Sequence, residues 1–144
     1  MNYAIRPAIP GDEAELARLS AQLGYPFDPA GAARRVPPAD GAGSALFVAQ
    51  GEEGKLAGWI YATRVDWFFV DSFVEIAGLV VDEAARGGGV GGALLSRAEA
   101  WAREIGLAMI RLRSNAKRAP AHRFYEAHGY ENYKTSYNFR KALQ

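Results

Sequence analysis

The segment Val80-Val81-Asp82-Glu83-Ala84-Ala85-Arg86-Gly87-Gly88-Gly89-Val90-Gly91-Gly92-Ala93-Leu94-Leu95 constrains this chain more than any other. A β-branched apolar run stops at acidic residues. A glycine-dense turn led by Arg86 follows, and an amphipathic pattern then begins. That order predicts a strand, a loop with bare backbone N–H groups and a helix N-terminus. Oriented amides and the positive end of a helix dipole bind an anion without an acidic or metal ligand. A molecule carrying a pyrophosphate is the natural candidate. Each glycine inside an element costs roughly 0.5–1 kcal/mol relative to alanine. A plain turn needs one or two, and five stand between positions 87 and 92. The excess predicts something that approaches the main chain closely.

Composition narrows the rest. The chain has 144 residues, enough for a single domain spanning 1–144 with a real core. Net charge is +1, from 17 Lys+Arg against 16 Asp+Glu, so nothing draws the whole molecule to nucleic acid or to a membrane surface. There is no cysteine, hence no disulfide, no thiolate nucleophile and no cysteine zinc site. With only two histidines, His122 and His128, no histidine-rich metal site and no metal are expected. No export signal opens the sequence and no apolar run is long enough to span a bilayer, so a cytoplasmic protein is expected.

Along the chain, Tyr3 to Ala8 reads as a strand. Asp12 reads as a helix N-cap with Glu15 completing a capping box, Leu16, Leu19 and Leu23 recur at helical spacing, and Gly24 stops the helix. Asp28 starts a short helix through Arg35, and residues 37–44 read as loop. Ala45–Gln50 and Leu56–Asp66 form a hairpin across Gly51-Glu52-Glu53-Gly54, and an aromatic stretch, Trp67 to Asp71, leads to a strand at Phe73–Val81. The helix after the glycines buries Val90, Leu94, Ala98, Trp101 and Ile105 and closes at Gly106. A strand at Met109–Arg113, a helix at Ala119–His128 and a hairpin of Tyr130–Tyr133 with Thr135–Lys141 complete the order. Successive hairpins imply an antiparallel core, and the strand–helix–strand crossover implies one parallel pair. The predicted class is α+β, a mixed, mostly antiparallel central sheet of about six to seven strands flanked by helices.

Three readings of the glycine loop compete. Gly87-x-Gly89-x-x-Gly92 matches the dinucleotide fingerprint in form, but no carboxylate for a ribose stands in Met109-Ile110-Arg111-Leu112-Arg113. A P-loop is excluded because no Gly-Lys-Ser/Thr follows, and the second reading, a plain tight turn, does not call for five glycines. The third reading is a resemblance. Arg86-Gly87-Gly88-Gly89-Val90-Gly91 fits a pattern of Gln or Arg, two free positions, Gly, one free position, then Gly or Ala. That is the acetyl-CoA signature of the GNAT family of N-acetyltransferases, which this chain resembles over nearly its whole length. Ile5-Arg6-Pro7-Ala8 is similar to the family's opening and Gly78-Leu79-Val80-Val81-Asp82 to its central strand. Asn115 with Ala121 to Tyr130 resembles its second cofactor motif, and Thr135 to Lys141 its closing strand. The likeness thins over residues 25–44.

The resemblance implies the acyl-CoA N-acyltransferase fold and direct transfer of acetyl from acetyl-CoA, a co-substrate, to a primary amine. Arg86, Gly87, Gly88, Gly89, Val90, Gly91 and Gly92 would bind the pyrophosphate, and the main chain of Leu79, Val80 and Val81 the pantetheine amides. Asn115 would contact the same arm. Tyr125 would donate a proton to the leaving thiolate, and Glu75 would act as general base, with Asp71 a weaker alternative. The acceptor pocket is expected from residues 25–40 and the 66–74 hairpin, where Asp66, Asp71 and Glu75 lie near Trp67, Phe68 and Phe69. The acceptor is a small-molecule amine or a protein amine. The family resemblance and the apolar C-terminal hairpin imply a homodimer. The alternative is a non-catalytic acyl-CoA-binding module that regulates a partner.

Overall fold

A computed structural model describes residues 3–114 and 119–144. They divide into two compact units, Met1–Leu112 and Arg113–Gln144. In the first unit, strands β1 (Ala4–Pro7), β2 (Ser44–Gln50), β3 (Leu56–Val65), β4 (Phe73–Val81) and β5 (Ile110–Leu112) form one sheet in sequence order. The first three pairings are antiparallel and β4–β5 is parallel, as the crossover requires. Helices α1 (Glu13–Leu23), α2 (Pro29–Ala32) and α3 (Val90–Glu104) complete this unit.

Adjacent residues of a strand point to opposite faces, and β2 shows which helix takes which face. Val48 packs with Leu16 and Leu19 of α1. Its neighbour Phe47 lies under the guanidinium of Arg97, on α3, at 4.3 Å. The two helices therefore cover opposite faces. On the α1 face, Phe27 and Val36 also close on the core, so the segment after α1 is packed rather than loose. Trp101 of α3 donates its indole N–H to the Gly41 carbonyl at 3.2 Å, which ties down the following loop.

The local signals are read unevenly by the fold. Gly24 ends α1 at φ 99°, with Tyr25 N–H donating to Ser20 and Gly24 N–H to Ala21. The capping box at Asp12 does not form. Arg6 takes the Asp12 carboxylate in a two-pronged pair at 2.8 and 2.9 Å, and the Ile9 N–H takes it as well. Glu15 turns instead to Arg18 and to the Leu56 N–H. A charged, two-pronged donor outcompetes a single backbone amide.

The second unit holds α4 (Ala119–Ala127), stopped by Gly129 at φ 89° with Tyr130 N–H donating to the Tyr125 carbonyl. The expected hairpin of Tyr130–Tyr133 and Thr135–Lys141 is absent: residues 131–144 carry no strand, and the sheet has five strands rather than six to seven. Nothing between the two runs supplies the left-handed turn residue, such as Asn-Gly, that a tight hairpin needs. An isolated two-stranded hairpin is marginal in any case.

Candidate functional site

The β4 strand is where the sheet opens. Its parallel ladder with β5 covers Val74–Ile110, Glu75–Arg111 and Ile76–Leu112, then ends, while β4 runs on to Val81. At the same point the register against β3 slips, Tyr61 facing Gly78 and Ala62 facing Ile76, which leaves Ala77 as a bulge. The extra residue reverses the hydrogen-bonding phase. Before it, the Val74 N–H points to β5 and donates to Met109 at 3.0 Å. After it, the Asp82 N–H points to β3 and donates to Ala57 at 2.7 Å. Counting back by twos turns Val80 toward β3, and Leu79 and Val81 toward the side that β5 has left. Of the strand residues expected to meet an amide-bearing ligand, Leu79 and Val81 present main chain to the open edge. Val80 is a core residue, 4% exposed.

Gly78 is required for packing. A Cβ there would sit 2.9 Å from the Trp59 ring, which would have to shift to admit it.

From this edge the chain passes directly to the glycine loop. Asp82 is buried and caps a short 3-10 turn at Glu83–Ala85 through the Ala84 N–H at 3.2 Å. Burial by itself raises the Asp82 pKa. Hydrogen bonds from Ala84 N–H and Gln22 and the charge of Arg18 outweigh it and hold the pKa below the usual carboxylate value. Gln22 closes the link from the other side by accepting from the Glu83 N–H at 3.0 Å. Sequence reasoning missed this clamp. Its one signal was an acidic residue between an apolar strand and a glycine run.

Arg86, Gly87, Gly88 and Gly89 are all exposed. Gly87 and Gly89 adopt φ of 87° and 82°, the left-handed region that glycine alone enters freely. Gly89 is the N-cap of α3 and brings no side chain to the first amides of the helix. Those amides, of Val90, Gly91 and Gly92, are thus left for a ligand at the positive end of a 15-residue helix. A shallow concavity of about 270 Å³ beside the loop is lined by Tyr3, Ala84, Ala85, Arg86, Gly87 and Gly88.

Glu75 stands at the apex of the fork, one residue before the ladder ends, between Thr63 on β3 and Arg111 on β5. The neighbouring β3–β4 turn is aromatic. Trp67 stacks on Phe69 at 5.5 Å and meets the buried Phe73 edge-on at 5.3 Å, while Phe68 is fully exposed. Asp66, in contrast, is occupied: the Ser72 hydroxyl and the Arg64 guanidinium hold it and lower its pKa. Asp66 therefore fastens the turn. Arg111, which the sequence reading passed over, lies with its guanidinium 4.1 Å above the Phe73 ring.

In the second unit, Tyr125 packs edge-on to Phe124 at 5.3 Å and faces Tyr130 at 6.1 Å. His128 is exposed, its Nδ1 2.8 Å from the Phe124 carbonyl. Asn115 lies outside the described residues. Among the described residues no group of His, Cys, Asp or Glu could hold a metal ion, and no helix is long and apolar enough to cross a membrane.

A parallel strand pair that ends beside an anion-ready helix N-terminus, within an otherwise antiparallel sheet, is the arrangement that the resemblance to the GNAT acyltransferases implies. The sequence agrees: residues 16–130 match the model of the acetyltransferase (GNAT) family, and the chain belongs to that family. It is 44% identical over 69 residues to the aminoalkylphosphonate N-acetyltransferase of Salmonella typhimurium, a match covering 48% of this chain and 44% of that protein's length. Among solved structures, a Bacillus halodurans protein described as a transcriptional regulator superposes with TM-score 0.82 at 23% identity, covering 97% of this chain and all of the other. Glucosamine-6-phosphate N-acetyltransferase of Arabidopsis thaliana superposes with TM-score 0.81 at 20% identity over the full length of both chains. These two likenesses establish the fold.

Proposed function

We propose that this protein is an N-acetyltransferase that moves an acetyl group from acetyl-CoA directly to a primary amine. Family membership and the splayed β4 edge leading into an uncapped glycine loop together carry the reading. The residues fit the co-substrate. Arg86 and the amides from Gly87 to Gly92 would hold the pyrophosphate, and the main chain of Leu79 and Val81 would pair with the pantetheine amides as an added strand does. A Cβ built at Gly87 or Gly89 meets nothing within 4 Å, so the space above the loop is open to a ligand. Bound acetyl-CoA supplies an activated thioester and leaves as a thiol. Glu75 would take the ammonium proton from the acceptor, directly or through a water, so that a neutral amine attacks. Tyr125, carried over from the family motif, would protonate the departing sulfur. Asn115 belongs to the same carried-over set.

The acceptor is a primary amine, on a small molecule or on a protein. The name of the Salmonella relative adds aminoalkylphosphonates to the amines to be tried, beside polyamines, amino acids, aminoglycosides and protein lysines. Incubation with acetyl-CoA and that panel should release free thiol with at least one class. Acetyl-CoA binding by calorimetry without release on any of them would instead favour the regulatory module.

A further inference from the structure

We infer that Arg111 is a specificity residue that holds an oxyanion on the far end of the acceptor, so that the preferred substrate is a short amine bearing a carboxylate, phosphonate or phosphate. The inference rests on the acetyltransferase reading above.

In the first unit, the half-buried arginines Arg6, Arg18, Arg64 and Arg97 each hold a carboxylate, at 2.8 to 3.0 Å. Arg111 is also half-buried, yet among the described residues no carboxylate lies within ion-pair distance of its guanidinium. Its contact is the Phe73 ring, which fixes the plane of the fork and leaves its N–H groups to an incoming partner. A guanidinium taken partly out of water without a counter-charge is unfavourable unless an anion arrives to meet it.

Its position makes that anion part of the acceptor. Arg111 is the cross-strand partner of Glu75, at the fork where the open β4 edge begins. Neighbouring strands stand about 4.8 Å apart, and one two-residue repeat along a strand is about 7 Å. The guanidinium leans back over Phe73, two residues before Glu75. A substrate ammonium at Glu75 and an oxyanion at Arg111 would then be roughly 5–7 Å apart, the span of an amine nitrogen and an acid oxygen separated by about four to six bonds. Phe73 and the edge-on Trp67 form an apolar wall beside the connecting methylenes.

The test compares wild type with Arg111→Gln on matched acceptors: β-alanine and 2-aminoethylphosphonate against propylamine. Wild type should favour the acids at least tenfold in kcat/KM. Arg111→Gln should lose that preference through KM, with propylamine turnover and acetyl-CoA affinity kept within about twofold. Equal loss on all three acceptors, or a wild type indifferent to the acid group, would overturn the assignment. Which acid is preferred distinguishes carboxylate from phosphonate. Binding of 2-aminoethylphosphonate in the presence of CoA, followed by phosphorus NMR, gives a readout independent of turnover. Weaker binding to Arg111→Gln supports the assignment and equal binding refutes it. Absence of thiol release with every amine would instead count against the acetyltransferase reading alone.

Discussion

Arg18 and Asp82 stand 64 residues apart in sequence and meet at 3.0 Å. The pair joins α1 to the turn that launches the glycine loop. The same guanidinium holds Glu15 and donates to the Leu56 carbonyl at 2.9 Å, so one side chain locks helix, strand and loop. Asp82 adds Gln22 at 3.3 Å and the Ala84 N–H. The loop that would carry the phosphates is thereby anchored at its base while its glycines stay open.

Asp82→Ala should cost about 2–3 kcal/mol, since it removes a buried acceptor and leaves several donors unpaired. Asp82→Asn keeps the shape and part of the bonding and should cost less. Urea unfolding measures both. Acetyl-CoA affinity should fall several-fold in the alanine variant as the loop base loosens. An unchanged urea midpoint for Asp82→Ala would show that the clamp does not contribute.

Acid sensitivity follows from the same groups. Arg6 holds the Asp12 carboxyl below its ordinary pKa, with help from the Ile9 N–H, and Arg18 does the same for Glu15. Asp82 is also lowered. Each folded pKa is below its unfolded value, so the unfolded chain binds protons first as pH drops. The stabilisation is complete above about pH 4–4.5, the unfolded range, and is lost as pH falls through the folded values. Thermal midpoints should be flat with respect to these groups near neutrality and decline below about pH 4. Asp12→Asn should give a shallower acid decline; an identical slope would remove Asp12 from this account.

Two alanine substitutions separate loop function from packing. Gly89→Ala places a Cβ in empty space at φ 82°, so its stability cost is only backbone strain, about 1 kcal/mol. Its methyl would stand among the helix-start amides and should weaken acetyl-CoA binding tenfold or more. Gly58→Ala brings a Cβ within 2.6 Å of the Val80 carbonyl oxygen and 3.1 Å of Leu94, an overpacking that should cost about 1–3 kcal/mol. Calorimetry with acetyl-CoA should show Gly58→Ala close to wild type wherever it is folded. The reverse ranking of affinities would contradict the loop's role.

The sequence made the elements legible where one local rule sufficed. Gly24 as a left-handed stop, the glycine run as the start of α3 and the crossover that makes β5 parallel to β4 all follow from short-range pattern. Features decided by long-range competition were not legible. Asp12 caps no helix because Arg6, on a neighbouring strand, reaches it first. The bulge at Ala77 exists only through pairing with β3, and so the turning of Leu79 and Val81 to one side and Val80 to the other was invisible. Arg111 carried no signal in the sequence, because the Phe73 ring beneath it comes from another strand. The C-terminal run alternated like a hairpin but lacked the turn chemistry to close one.

Tyr125→Phe removes a single hydroxyl and leaves the ring's contacts with Phe124 and Tyr130 in place. If the phenol protonates the leaving sulfur, kcat should fall about 10²-fold or more while acetyl-CoA affinity stays near wild type. Acyl donors whose thiols have lower pKa need the proton less and should narrow the deficit. Unchanged turnover would exclude Tyr125 as the acid.

Glu75→Gln is nearly isosteric and keeps a polar side chain between Thr63 and Arg111. A general base matters most where the acceptor arrives as an ammonium ion. The rate deficit of the variant should therefore be largest on the acid side of neutrality, about 10²-fold or more. It should shrink as pH nears the amine pKa and neutral acceptor becomes available without help. The wild-type profile should keep activity to lower pH than the variant's. Parallel profiles for the two proteins, offset by a constant factor, would mean that Glu75 shapes the fork and takes no proton.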